Sequence, residues 1–247
     1  MINKSLRLIR ALLSLFNPRA WGPFTEAYEA TRFDHAFSVS WSQSGEDLAL
    51  LAILGKEMPG RYLDIGAHHP SRFSVTRHLY QRGWNGVNVD GNSDLIRNFD
   101  LQRKRDVNLN FCIGTQTSYL INIFAETAIS TVSSEWKDKF LSEKNSVVET
   151  RKVKGKTLHS LIIEYFPEGN LKLLNLDIEG ADLDALTSGN FKFLPNDLWP
   201  EWILLEANAP FEESRKTDTV KYLADLGYLI YLVLPFATLM QREQTRI

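Results

Sequence analysis

The chain has 247 residues, of which 44% are hydrophobic and 23% charged, and its formal net charge is −2. That is enough length and apolar content for one sizeable core, while the near-neutral balance excludes a global basic field for nucleic acid. The single cysteine, Cys112, excludes an intrachain disulfide and suits a reducing compartment, and no apolar run approaches the roughly 18 residues needed to span a bilayer.

At the start of the chain, Ile2, Leu6, Ile9, Leu13 and Phe16 recur at helical spacing, and Lys4, Arg7 and Arg10 lie largely elsewhere on the wheel. This predicts an amphipathic helix that packs on the domain, on a partner, or on a membrane surface with its basic residues at the headgroups. The apolar stretch after Arg10 is too short for a secretory signal and lacks a small-residue cleavage site. A cytoplasmic location is expected, with the inner face of a membrane as the peripheral alternative. Asn17-Pro18 and Gly22-Pro23 break the chain beyond this helix, so residues 1–40 read as an extension and 41–247 as the domain.

From Ser42 onward, short apolar runs alternate with helical patterns, the signature of α/β units around a mainly parallel sheet. Ser44 and Asp47 are spaced like a capping box opening a helix to about Leu54. Strands are expected at Tyr62–Ile65, Gly86–Asp90 and Val107–Ile113, with helices at Phe73–Gln81 and about Ser93–Arg103 between them. Residues 118–156 read as an insertion, with β structure at Tyr119–Phe124 and Val148–Val153 around a polar segment of weak periodicity. Next come a helix at Leu158–Tyr165, a strand at Leu171–Ile178, a short helix at Asp182–Thr187 and a strand at Trp202–Glu206. The chain then reads as a helix at Thr217–Leu226 and strands at Tyr228–Leu234 and Thr238–Arg242. The pattern predicts a doubly wound sheet with a β-rich insertion and an N-terminal helical extension.

In such sheets ligands bind beyond the carboxyl ends of the strands, where the strand order reverses. Asp64-Ile65-Gly66-Ala67 falls there. A dinucleotide site needs spaced glycines so that backbone can approach a pyrophosphate, but His68, His69 and Pro70 fill those positions. S-adenosylmethionine carries no phosphate and needs one close backbone approach, which Gly66 can supply. It also needs an acid for the ribose hydroxyls, and Asp90 ends the second strand 24 residues later.

Four motifs extend this reading: Ser42-Gln43-Ser44-Gly45-Glu46-Asp47, Tyr62 to Pro70, Gly83 to Asp90, and Leu176-Asp177-Ile178-Glu179-Gly180-Ala181-Asp182. Together they resemble the FkbM family of methyltransferases over about Ser42 to Glu206. The resemblance implies a Rossmann-like class I methyltransferase fold, S-adenosylmethionine as cofactor, and O-methylation of a sugar, glycan or natural product. It implies cofactor contacts at Gln43, Asp64, Gly66, Ala67, Asp90, Gly91, Asn92, Ile113 and Asp177. Gly91 departs from the family, where proline is frequent after this acid.

Methyl transfer is an in-line displacement, so positioning contributes much of the acceleration, and an alcohol acceptor gains from a nearby base. The candidates are Asp177 and Glu179 in the acidic turn, and His68 and His69 after the cofactor glycine, with His69 preferred. Helix capping by Asp177 or Asp182, and loop-shaping histidines, are the plain alternatives. Asp177, Glu179 and Glu206 offer an oxygen set for Mg²⁺, but the spacing is not diagnostic and no metal site is assigned. Two other classes of function compete with an enzyme of this kind. A binding or scaffold module would need none of these residues, and a nicotinamide oxidoreductase would need the missing glycines.

Overall fold

Alternation along Arg61-Tyr62-Leu63-Asp64-Ile65 turns Leu63 and Ile65 to one face of a strand and Tyr62 and Asp64 to the other, and all four are buried. A strand buried on both faces belongs in the middle of a covered sheet, and that is its place in the computed structural model. The structure describes residues 39–55, 59–207 and 211–243. The chain divides into two units, Met1–Val39 and Ser40–Ile247. The amphipathic helix expected over residues 2–16 lies outside the described residues.

Ten strands are described: β1 (Arg61–Ile65), β2 (Asn85–Asp90), β3 (Val107–Asn110), β4 (Cys112–Ile113), β5 (Ser118–Phe124), β6 (Val147–Lys156), β7 (Leu171–Leu176), β8 (Trp202–Glu206), β9 (Tyr228–Val233) and β10 (Ala237–Arg242). Seven of them form one sheet in the order β3-β2-β1-β7-β8-β10-β9. All run parallel except β10, which is antiparallel to both of its neighbours. The strand order reverses between β1 and β7. The molecule is a mixed α/β protein with a mostly parallel seven-stranded sheet.

The helices are α1 (Glu46–Leu54), α2 (Arg77–Gln81), α3 (Ser93–Gln102), α4 (Ser134–Ser142), α5 (Leu158–Tyr165), α6 (Asp182–Ser188), α7 (Phe211–Ser214) and α8 (Asp218–Asp225). One hydrophobic cluster joins Leu63, Ile65 and Val87 to Leu161 of α5, Leu186 of α6 and Leu223 of α8. A second, on the other face, joins Tyr62 and Leu173 to Leu50 of α1 and Leu79 of α2. Among the described residues no helix is long and apolar enough to cross a membrane.

Several expectations are corrected. The run Val107–Ile113 is not one strand: β3 ends at Asn110, and Cys112-Ile113 pairs instead with Gly155-Lys156 in a second sheet of order β4-β6-β5. The helix expected from Phe73 begins only at Arg77, because Phe73 adopts φ 57° and the buried Arg103 guanidinium draws the loop inward through the Pro70 carbonyl and the Ser74 hydroxyl. The Ser44/Asp47 capping box does not form. Gly45 caps α1 in a left-handed conformation, and Asp47 instead accepts from Ser40 Oγ, Trp41 N and Ser42 Oγ. The polar stretch of the insertion contains a full helix, α4, capped by Ser133.

Candidate active site

Three turns at the carboxyl ends of the parallel strands converge on one cavity. Gly66 follows β1, Asp90 ends β2, and Asp177 to Glu179 follow β7. The cavity encloses about 560 Å³ of space, open solvent at its mouth included. Its apolar wall includes Phe111, Cys112 and Ile113, and the insertion closes it with Ile121, Thr127 and Ser130. Among the described residues no lysine or arginine lines it.

Gly66 is fixed by sterics. Its φ is 78°, and a Cβ there would fall 1.7 Å from the Asp177 carbonyl oxygen, so only glycine lets the β1 and β7 turns meet. The contact is tied down by the Asp177 amide donating to Ile65 O at 3.1 Å.

Asp90 lines the cavity, and its two oxygens accept from the His68 amide at 2.9 Å and the Asn92 amide at 2.7 Å. Burial pushes its pKa up to about 6, against the pull of those two amides. A carboxylate has about four acceptor positions, so capacity toward the cavity remains.

The acidic turn is denser. Oxygens of Asp177, Glu179 and Glu206 lie within 4.8 Å of one another. Asp177 presents its carboxylate to the cavity space while protein surrounds it. Burial first, then Glu206 and Asp182, hold its pKa well above the usual carboxylate range. Glu179 is pushed up to about 8 by burial and by Asp177 and Asp182, with Lys139 opposing. Three carboxylates this close must share protons or take a cation. Both Glu179 and Gly180 have left-handed backbone, with φ of 52° and 88°.

A second cavity continues from the first past Gly66, His68, Asp177 and Glu179, and adds Gln43, Glu46, Asn175, Glu206 and the rings of Phe73 and Phe236. The two cavities therefore meet at the acidic turn.

The other expected site residues divide clearly. Gly91 and Ile113 line the first cavity and Gln43 the second. Asp64 is turned away: its oxygens accept from Thr76 Oγ1 at 2.7 Å and Asn175 Nδ2 at 2.9 Å, fully inside the protein. Ala67 is buried beside the turn, and Asn92 caps α3 by accepting from the Asp94 amide; neither lines either cavity. The two histidines also part. His68, at φ 52°, lines both cavities, with Nε2 3.0 Å from Thr127 Oγ1. Burial drops its pKa to about 4, so it is neutral near pH 7. His69 is not brought to the cavity, because its Nδ1 accepts from the Ser71 and Arg72 amides.

Sequence reasoning missed Thr127, Ala128 and Phe236 as cavity walls, and missed Arg103. Thr127 and Ala128 carried no signal, since the segment has neither periodicity nor motif. Arg103 is wholly buried, bonds Tyr62 Oη, Pro70 O and Ser74 Oγ, and lies 3.8 Å from Asp106. A charged residue at the end of an amphipathic helix is ordinarily solvated, and nothing local marks this one as internal.

A cavity at the strand ends, walled by apolar residues and an acidic turn, is the candidate site of this α/β protein. A family model described as methyltransferase FkbM domain matches residues 64–230. The chain belongs to the FkbM methyltransferase family. No curated protein matches it.

Proposed function

We propose that the protein is an S-adenosylmethionine-dependent O-methyltransferase acting on a hydroxyl of a sugar, glycan or natural product. The observation that carries this is the pairing of the two cavities at the acidic turn. One suits a nucleoside with no phosphate, having Asp90, apolar walls and no lysine or arginine among its described residues. The other, lined by Gln43, Asn175, Glu206 and two aromatic rings, suits a polyol with an apolar face. The reversal of strand order at β1/β7 and the hydrophobic clusters on both sheet faces support a doubly wound fold of the class I methyltransferase kind.

In this reading Gly66 brings backbone close to the cofactor and Asp90 accepts from its ribose hydroxyls. Phe111 and Ile113 flank the base. The bound cofactor supplies an electrophilic methyl group on a sulfonium. The acceptor hydroxyl would be held between Asp177, Glu179 and Glu206, and one of these carboxylates would take its proton as the methyl–sulfur bond breaks, the methyl passing to oxygen and a neutral thioether being left. Neutral His68 orients the pair from the other side. The carboxylates act here as proton holders rather than as metal ligands.

Calorimetric titration with S-adenosylmethionine and with NAD tests the cofactor. Binding of the first and not the second is expected, and the reverse would discard the reading. Methyl transfer screened against hydroxylated sugar and lipid acceptors then tests the reaction.

A further inference from the structure

The wall of the first cavity comes from two parts of the chain far apart in sequence. On one side is the loop after β1, carrying His68, Arg72 and Phe73. On the other is the turn Thr127–Ile129 of the insertion, capped by Glu126, whose side chain accepts from the Ala128 amide. These two parts meet at two points. Inside, His68 Nε2 lies 3.0 Å from Thr127 Oγ1. Outside, the Arg72 guanidinium grips the Glu126 carboxylate with two bonds, of 2.9 and 2.7 Å. The same guanidinium lies 4.2 Å over the Phe73 ring, which in turn stacks 6.1 Å from His68.

We propose that Arg72 and Glu126 are positioning residues that hold the Glu126–Ser130 turn shut over the cofactor cavity, so that cofactor enters and leaves when this ion pair parts. The inference rests on the cofactor reading of that cavity. Thr127, Ala128 and Ser130 all line it, so a ligand filling it is covered by the turn. The pair is well built and weakly held. Its geometry is bidentate, the arrangement in which arginine and carboxylate fit best, but the two side chains are 45% and 43% exposed. Water and salt therefore screen it. A fastening strong enough to define one closed geometry, yet weak enough to open on each turnover, is what cofactor exchange requires.

The test is the dissociation rate of radiolabelled S-adenosylmethionine from the full chain, chased with unlabelled cofactor. It compares the wild type with Arg72→Glu, Glu126→Arg and the double exchange. Each single reversal should speed dissociation about two- to fivefold, the scale of an exposed pair. The double exchange should return it to within about twofold of wild type. Raising NaCl should speed release from the wild type and from the double exchange, but not from the single variants. Unchanged rates in the single variants overturn the clasp and leave the cofactor reading standing, as does a double exchange as fast as either single. A wild type that binds no S-adenosylmethionine overturns the reading and the clasp together.

Discussion

The Thr131 hydroxyl donates to the main-chain carbonyl of Glu179 at 2.7 Å, so the insertion holds the acidic turn from outside the sheet. Trp136 adds to this grip. A Cβ on Gly180 would fall 2.1 Å from its indole Cδ1, so ring and backbone are in direct contact. The turn carries two left-handed residues, and this hold adds to the Asp182 carboxylate, which accepts from the Ile178 amide at 3.3 Å. Thr131→Val should therefore lower kcat by about fivefold, the worth of one neutral hydrogen bond, with little change in cofactor affinity. Steady-state kinetics beside calorimetry would show it, and an unaltered kcat would mean that the turn holds itself.

Asp90 offers the cleanest test of the cofactor end. Asp90→Asn keeps the shape but loses one acceptor oxygen and the charge. Losing a charge-assisted hydrogen bond costs about 1.5–3 kcal/mol, so affinity for S-adenosylmethionine should fall tenfold or more. Gly66→Val should fail differently, through folding, because its side chain meets the Asp177 carbonyl. Thermal melts separate the two cases. An unchanged isotherm for folded Asp90→Asn would remove the ribose role.

For catalysis, Glu179→Gln and Asp177→Asn should each lower turnover by about 10²-fold or more, the scale of general-base catalysis. His69→Gln should leave it nearly unchanged, since that ring serves its own loop. Normal turnover in both carboxylate variants would reduce catalysis to positioning. The proton-holding reading also expects activity to survive EDTA. Loss on chelation and recovery with Mg²⁺ would reassign the three carboxylates to a cation.

His68 should give stability a measurable pH dependence. Its folded pKa is about 4, below the 6.5 of an unfolded histidine. As pH falls below 6.5 the unfolded chain takes up a proton that the folded chain refuses. Stability is therefore lost between about 6.5 and 4, and the loss is complete below 4. At 1.36 kcal/mol per unit that amounts to about 3 kcal/mol. In His68→Asn, chosen because asparagine tolerates left-handed backbone, this part of the slope should vanish. Carboxylates such as Asp90, raised to about 6, drive the opposite trend in both proteins and cancel in the comparison. Equal slopes between pH 7 and 4 would show that His68 protonates freely in the folded chain.

The central strands were legible because their apolar runs are buried on both faces. β8 has its expected bounds, Trp202–Glu206, and β1 and β2 gain one residue each. The split at Phe111 was not, since Val107–Ile113 reads as one run and its division depends on distant Gly155 and Lys156. Helix α4 was missed because only Trp136 and Phe140 mark its apolar face in an otherwise charged segment. At the site, Gly66, Asp90, Asp177 and Glu179 stood out as acids and a glycine at strand ends. Between the two adjacent histidines the sequence reading prefers His69, whereas it is His68, at φ 52°, that lines both cavities. The partners of Asp64, Thr76 and Asn175, lie 12 and 111 residues away, beyond any local pattern.

Strand β10 has a practical bearing. Among the described strands of its sheet it alone runs against the rest, with Ala237 beside Glu206 and Gln241 beside Trp202. It therefore carries the chain from the cavity end of the sheet to the far end, where the Arg242 amide donates to Glu201 O. Arg242 thus lies on the side of the sheet away from Asp90 and Asp177. A capture point placed at Arg242 would face away from Asp90 and Asp177, which suits acceptor screening by immobilisation.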